Sequence, residues 1–201
     1  MPQATQTDYP VHELIMKRWS PVGFATRNVS TSDLCSLFEA ARWAASSFNE
    51  QPWNFLIATK DNEEEFTKAL SCLVEANQVW AQAASALVFC GTSLLFGRNN
   101  KPNSAALHDL GLAVGNLSLE ATARGLSVHQ MIGILPDRAH ELYSVPDNFQ
   151  IVTALAIGYA TDPANLPESL RQRDEAPRRR KRLTDFVFSG KWGQTARMVQ
   201  G

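Results

Sequence analysis

Cysteine is scarce in this chain of 201 residues: there are three, Cys35, Cys72 and Cys90, and no two share a Cys-x-x-Cys spacing. That argues against a disulfide framework and against a thiolate zinc site, and no metal is expected. Cys90 lies in the apolar run Ala86–Cys90 and reads as a small core hydrophobe. Long apolar runs are missing too. None approaches the roughly 20 residues that a membrane span requires, and the opening stretch MPQATQTDYPVHE holds no apolar h-region. The expectation is a protein without a secretory signal, off the membrane, in the reducing cytoplasm. An excess of one charge is lacking as well. With 19 Lys and Arg against 20 Asp and Glu the net charge is −1, so no global field would recruit nucleic acid or an acidic membrane. Finally, there is no G-x-G-x-x-G after a strand, no G-x-S-x-G and no H-E-x-x-H. A Rossmann nicotinamide site, a nucleophile elbow and a zinc-protease pair therefore have no support.

What is present is ordinary globular material. With 44% apolar and 19% charged residues, disordered and fibrous classes drop out. The length suits one domain with a sizeable core, here expected to span 1–201. Val11 to Arg18 has the look of a short helix. Ser30 and Asp33 form a start resembling a capping box, with Asp for the usual Glu. Leu34, Leu37, Phe38, Ala41 and Ala45 follow as one apolar helical stripe. Ser46 to Asn54 breaks the rhythm and reads as a loop. Phe55–Thr59, Ala86–Cys90 and Ile151–Ile157 read as buried strands, and Ser127–Ile134 as strand-like. Asn62–Ala76 reads as a helix whose Glu63, Glu64 and Glu65 suit the positive dipole end. Pro136–Tyr143 is a helix opened by Pro. Ser104–Arg124 is the longest helix candidate, closed by Gly125, and its wide apolar girth suits the protein interior or a subunit interface. From Thr161 onward Pro163, Pro167 and Pro177 punctuate a polar segment, followed by the basic run Arg178–Arg182 and the apolar Phe186-Val187-Phe188. Such a tail has little core of its own.

Four separated segments carry the chemistry: Arg18-Trp19-Ser20; Ser46-Ser47-Phe48-Asn49-Glu50-Gln51-Pro52-Trp53; His129-Gln130-Met131-Ile132-Gly133; and Arg178 with Arg180. Guanidinium groups offer the bidentate, permanently charged partners that a phosphate dianion wants. Hydroxyl and amide side chains such as Ser46, Ser47, Asn49 and Gln51 supply both donors and acceptors. Taken singly, each has a plain reading: Arg18 as a solvated charge, the serine loop as a polar turn between helix and strand, the late basic run as a solvated tail or nucleic-acid patch. Met131 and Ile132 would then be strand core, and His129 reads as structural.

In this order and spacing the segments resemble the nitroreductase family of flavoproteins, over nearly the whole chain from about Glu13 to Trp192-Gly193; S-S-x-N-x-Q-P-W after an amphipathic helix is the most specific piece. The resemblance implies an α+β, three-layer fold, a mainly antiparallel sheet wrapped by helices, in an intertwined homodimer. Residues 161–201 would be a C-terminal extension that wraps the partner and adds an edge strand. It also implies FMN as cofactor. Arg18, Ser20, Arg178 and Arg180 would hold its phosphate, with Trp19 contributing backbone. Ser46, Ser47, Asn49 and Gln51 would reach the partner's flavin, and the backbone N–H groups of Gln130, Met131, Ile132 and Gly133 would face the ring where reduction adds electron density, glycine allowing close approach. NAD(P)H would be the transient donor in a ping-pong reaction, with a nitroarene, quinone or activated alkene as acceptor and no protein acid or base. A specialised dehalogenating or enal-reducing relative, or a flavin-binding protein with little turnover, are alternatives. The chain departs from the family pattern at Val22, where a cation is common, at Ala45, where proline is common, and at Ile134-Leu135. Loss of the cation would leave reduced flavin less stabilised.

Overall fold

A computed structural model describes residues 7–200; residues 1–6, part of the stretch read above as lacking an h-region, lie outside them. The elements run α1 Glu13–Lys17, α2 Thr31–Arg42, β1 Trp53–Thr59, α3 Glu63–Leu70, α4 Glu75–Ala81, β2 Ala86–Ser93, α5 Ala106–Ala123, β3 Ser127–Met131, α6 Pro136–Tyr143, β4 Phe149–Gly158 and α7 Glu168–Glu175. The four strands form one sheet in the order β1-β2-β4-β3, every neighbouring pair antiparallel.

Alternation along the two central strands sorts their side chains to opposite faces. Leu87 and Phe89 of β2 and Ala154 and Ala156 of β4 meet Phe66, Ala69, Trp80, Ala81 and Ala139 from α3, α4 and α6. On the other face Val88, Cys90, Leu155 and Ile157 meet Leu34, Leu37 and Ala41 of α2 and Leu110, Ala113, Val114, Leu117 and Ala121 of α5. The result is the expected three-layer α+β arrangement, helices on both sides of an antiparallel sheet. Leu37 and Leu117 are fully buried, and truncating either to Ala would cost roughly 2–5 kcal/mol.

The local signals explain most boundaries. The Ser30 hydroxyl accepts from the Asp33 amide at 3.0 Å and donates to the Asp33 carboxylate at 2.7 Å, starting α2 as expected. At the far end of α5, Gly125 takes φ +71°. Its amide donates to Thr122 O and that of Leu126 to Ala121 O, the paired bonds of a Schellman stop.

Four expectations need correction. Ala45 lies beyond the end of α2 and is exposed, because the helix closes at Trp43. The single helix over 62–76 is two: after Leu70 the chain leaves helical geometry so that Leu73 can bridge Ile134, while Val74 donates to Gly133 O and Leu135 to Cys72 O. The same pairing ends β3 at Met131 rather than Ile134, since residues 133–135 are committed to 72–74. The polar segment after Thr161 contains α7, which buries Asp174.

Candidate functional site

Segment 18–25 is held beside the end of β4. Ala25 donates to Tyr159 O at 2.8 Å and Thr161 to Gly23 O at 3.1 Å, with Phe24 bridging Ala160. Arg178 reaches back across 160 positions to the same segment. Its Nη1 donates to Arg18 O at 2.7 Å and its Nη2 to Met16 O at 2.6 Å, so the guanidinium caps the last carbonyls of α1. Arg178 Nε is buried and has no partner among the described residues. Arg18 Nη1 donates to Ser20 Oγ at 3.2 Å, and Arg180 Nη1 to Arg179 O at 2.8 Å.

These three guanidiniums crowd one another. Burial holds Arg18 below its ordinary pKa, and the charges of Arg178 and Arg180 push it further down. Burial and then Arg180 act the same way on Arg178. Among the described residues no carboxylate forms an ion pair with any of the three. Three converging cations without a counter-charge raise one another's energy, and an anion bound among them relieves it. The N–H groups of Trp19 and Ser20 also have no hydrogen-bond partner among the described residues.

The third segment adjoins the first through His129. Its Nδ1 lies 2.8 Å from Pro21 O. A carbonyl only accepts, so Nδ1 carries the hydrogen. The ring packs on Trp80 at 4.4 Å and burial holds its pKa below the ordinary value, which fits the structural reading of this histidine. Gln130 points the other way, donating to Ser118 Oγ of α5 at 3.1 Å, and Met131 is buried while Ile132 is 85% exposed. A Cβ on Gly133 would come within 2.4 Å of Asn77 Nδ2 and 2.9 Å of Val74 Cγ2. The close approach that requires glycine here is thus to α4, whose Asn77 also donates to Gly133 O at 3.0 Å. The N–H groups of Ile132 and Gly133 have no partner among the described residues.

The serine loop sits elsewhere. Ser47 N donates at 3.0 Å to Asp109, near the N-terminus of α5 and 2% exposed; nine residues of helical rise put that level about 14 Å from Ser118. Ser46 Oγ accepts from Gln51 N, Gln51 Nε2 donates to Asn49 O, and Glu50 accepts from Gly97 N. Phe48, Asn49 and Gln51 all have positive φ, at 54°, 56° and 52°. Left-handed backbone at a residue such as Phe48 costs of the order of 1–3 kcal/mol and tends to mark functional loops. Phe48 is 73% exposed, with the Arg98 guanidinium 4.1 Å over its ring. Within the chain, then, the first, third and fourth segments come together. The serine loop has no hydrogen bond or ring contact to them among the described residues.

Two buried carboxylates escaped sequence reasoning. Asp109 anchors the serine loop, and Asp174 accepts from Val22 N at 2.8 Å and Gly23 N at 3.1 Å. Nothing in the local pattern marks either one, because each takes its meaning from amides far away in sequence.

The family model described as "Nitroreductase family" matches residues 15–159. The chain belongs to the nitroreductase family. Arg178 and Arg180 lie beyond the matched residues. The chain spans most of the length of the two relatives that follow. An uncharacterised 15.4 kDa protein of Mycolicibacterium smegmatis is 34% identical over 132 residues, covering 65% of this chain and 86% of its own. A protein of Archaeoglobus fulgidus, provisionally named an NADH dehydrogenase/NAD(P)H nitroreductase, is 26% identical over 162 residues, 78% of this chain and 89% of its own. Among solved structures, an oxidoreductase containing FMN is 35% identical and superposes with a TM-score of 0.88 over 94% of this chain and 96% of that one. Among the described residues no helix is long and apolar enough to cross a membrane, and no group of three or more His, Cys, Asp or Glu could hold a metal.

Proposed function

We propose that this nitroreductase-family chain is an FMN-dependent oxidoreductase that draws electrons from NAD(P)H and delivers them to small electron-poor acceptors such as nitroarenes, quinones or activated alkenes. The observation that carries the reading is that Arg178 docks on the Arg18 segment while Arg18, Arg178 and Arg180 are close enough to depress one another's charge, with no carboxylate ion-paired to any of them among the described residues. An FMN phosphate fits that donor set, and FMN is what the similar solved oxidoreductase contains. The donor is inferred from the name borne by the Archaeoglobus relative. When bound, the flavin would accept a hydride from the donor and pass the electrons on. This chain's residues would supply binding and orientation. Arg18, Ser20, Arg178 and Arg180, with the amides of Trp19 and Ser20, would hold the phosphate. The N–H groups of Gln130, Met131, Ile132 and Gly133 would face the ring; those of Ile132 and Gly133 are the unpartnered pair.

Because Ser46, Ser47, Asn49 and Gln51 stand apart within one protomer, they would serve a flavin held by a second copy, and the working form would be a homodimer wrapped by residues 161–201. A second reading, a flavin-binding protein with little turnover, is favoured by Val22. That residue is 2% exposed in the core and presents no cation to the segment where one is common in the family.

The absorption spectrum of the purified protein, with released flavin identified by chromatography, tests the first claim; stoichiometric FAD, or no uptake of excess FMN, would refute it. Steady-state oxidation of NADH and NADPH with a quinone and a nitroarene then separates enzyme from binding protein.

A further inference from the structure

Asp174 is 6% exposed in the last turn of α7, four residues before Arg178. Both carboxylate oxygens are committed to backbone amides, Oδ1 to Val22 and Oδ2 to Gly23, 152 and 151 positions away. It forms no ion pair with any cation among the described residues. Burying a carboxylate without a cation is costly unless its oxygens are hydrogen-bonded, and here both are. Two parallel acceptors at a fixed separation suit two successive N–H groups and hold them pointing the same way.

The same stretch of chain grips the segment from its other end. Arg178 takes the carbonyls of Met16 and Arg18, Asp174 takes the amides of Val22 and Gly23, and His129 takes the carbonyl of Pro21. Between these grips the Trp19 and Ser20 amides and the Ser20 hydroxyl are bracketed, beside the Arg18 guanidinium. Gly23 is itself wedged, since a Cβ there would meet Leu166 at 2.6 Å. Glycine at 23 thus lets the segment lie against Leu166 and Thr161.

Resting on the flavin reading above, we infer that Asp174 is a positioning residue for the anion-binding segment: it fixes residues 19–23 so that the Trp19 and Ser20 amides, the Ser20 hydroxyl and the Arg18 guanidinium face one phosphate. Replacing it by Asn keeps the shape but sets an amide NH2 against one of the two N–H groups. The segment then opens at Val22 or Gly23.

The test compares FMN with riboflavin, which lacks the phosphate. Full-length wild type and Asp174→Asn are loaded with each, and release on dilution is followed by flavin fluorescence. Asp174→Asn should weaken FMN binding roughly tenfold, the scale of one charge-assisted hydrogen bond, and change riboflavin binding less than about twofold. Equal loss for both flavins would make Asp174 merely structural, and no loss for either would remove it from the site; both results overturn the inference while leaving the flavin reading intact. A wild type that binds FMN no better than riboflavin would overturn the flavin reading and this inference together. If Asp174→Asn does not fold, hydrogen exchange on the wild type decides. Protection of the Ser20, Val22 and Gly23 amides that rises with FMN or inorganic phosphate but not with riboflavin supports the inference, and protection that is the same under all three conditions overturns it.

Discussion

Arg178 and Arg180 sit two residues apart yet are expected to fail in different ways when changed to Ala. Arg178 is half-buried and donates two charge-assisted bonds to the Met16 and Arg18 carbonyls. Such bonds contribute about 1.5–3 kcal/mol each when buried. With partial exposure, about 2 kcal/mol for the pair is reasonable, which for a chain of this size lowers Tm by roughly 4–8 °C. Arg180 is exposed and among the described residues its side chain hydrogen-bonds only its neighbour's carbonyl, so Arg180→Ala should leave Tm within about 1 °C, as surface substitutions usually do. Both variants should lose FMN affinity, on the order of tenfold to a hundredfold. Melting must be measured on flavin-free protein, because FMN at about a hundred times its Kd adds about 2.7 kcal/mol by itself and would mask the comparison. Calorimetry gives Tm and fluorescence titration gives Kd on the same samples. Unchanged FMN affinity in Arg180→Ala would refute the three-guanidinium site. An unchanged Tm in Arg178→Ala would refute its capping of α1.

Two further outcomes are expected. Asp109→Ala should strip the Ser47 amide of its acceptor and cost about 1–3 kcal/mol, with faster hydrogen exchange at Ser47; unchanged protection there would remove Asp109 as the anchor of the serine loop. His129 is held neutral by burial, its folded pKa below the usual value of about 6.5. The unfolded chain therefore takes the proton first as pH falls, so the stabilising effect is complete above about pH 6.5 and declines below it. His129→Gln, which keeps a donor for Pro21 O, should flatten that part of the Tm-against-pH curve, and an unaltered slope would count against the assignment.

What the sequence made legible was whatever depends on short range. The capping pair Ser30 and Asp33, the Gly125 stop and Pro136 at a helix start each act within a few residues, and each stands where the pattern put it. The breaks were illegible because their causes are distant. Nothing in Ser71-Cys72-Leu73-Val74 says that the helix must stop so that Leu73 can bridge Ile134. The same limit applies at the candidate site. The arginines stand out by residue type, but nothing marks Asp174 until the fold carries Val22 and Gly23 to it. At Gly133 the crowding that requires glycine comes from Asn77 and Val74, more than fifty positions away, which no local pattern announces.

The tail after Thr184 makes the strongest demand for a second copy. Val187 and Ala196, Ser189 and Gln194, and Thr184 and Thr195 pair with one another, and residues 182–200 hydrogen-bond only among themselves in the described residues. Phe188 meets Trp192 with tilted rings 5.5 Å apart, yet Phe186 is 55%, Met198 80% and Trp192 93% exposed. A two-stranded hairpin with so little cover is marginal alone. Covering those three side chains on a partner would contribute roughly 1.5–3 kcal/mol each before ordering costs, a sizeable share of the 8.2 kcal/mol that corresponds to a dimer with Kd of about 1 μM. Of the tail's described residues only Ala196 is buried, so cutting the chain after Thr184 should leave the sheet and both helical layers intact. The truncated protein should therefore keep its far-UV circular dichroism while shifting toward monomer in sedimentation. It should release FMN in the same step, if the serine loop serves a flavin held by the other copy. A truncated protein that remains dimeric would show that the tail is not the clasp. A full-length monomer that keeps its FMN would refute the two-chain site, because Ser47 and Asn49 would then have no flavin within reach.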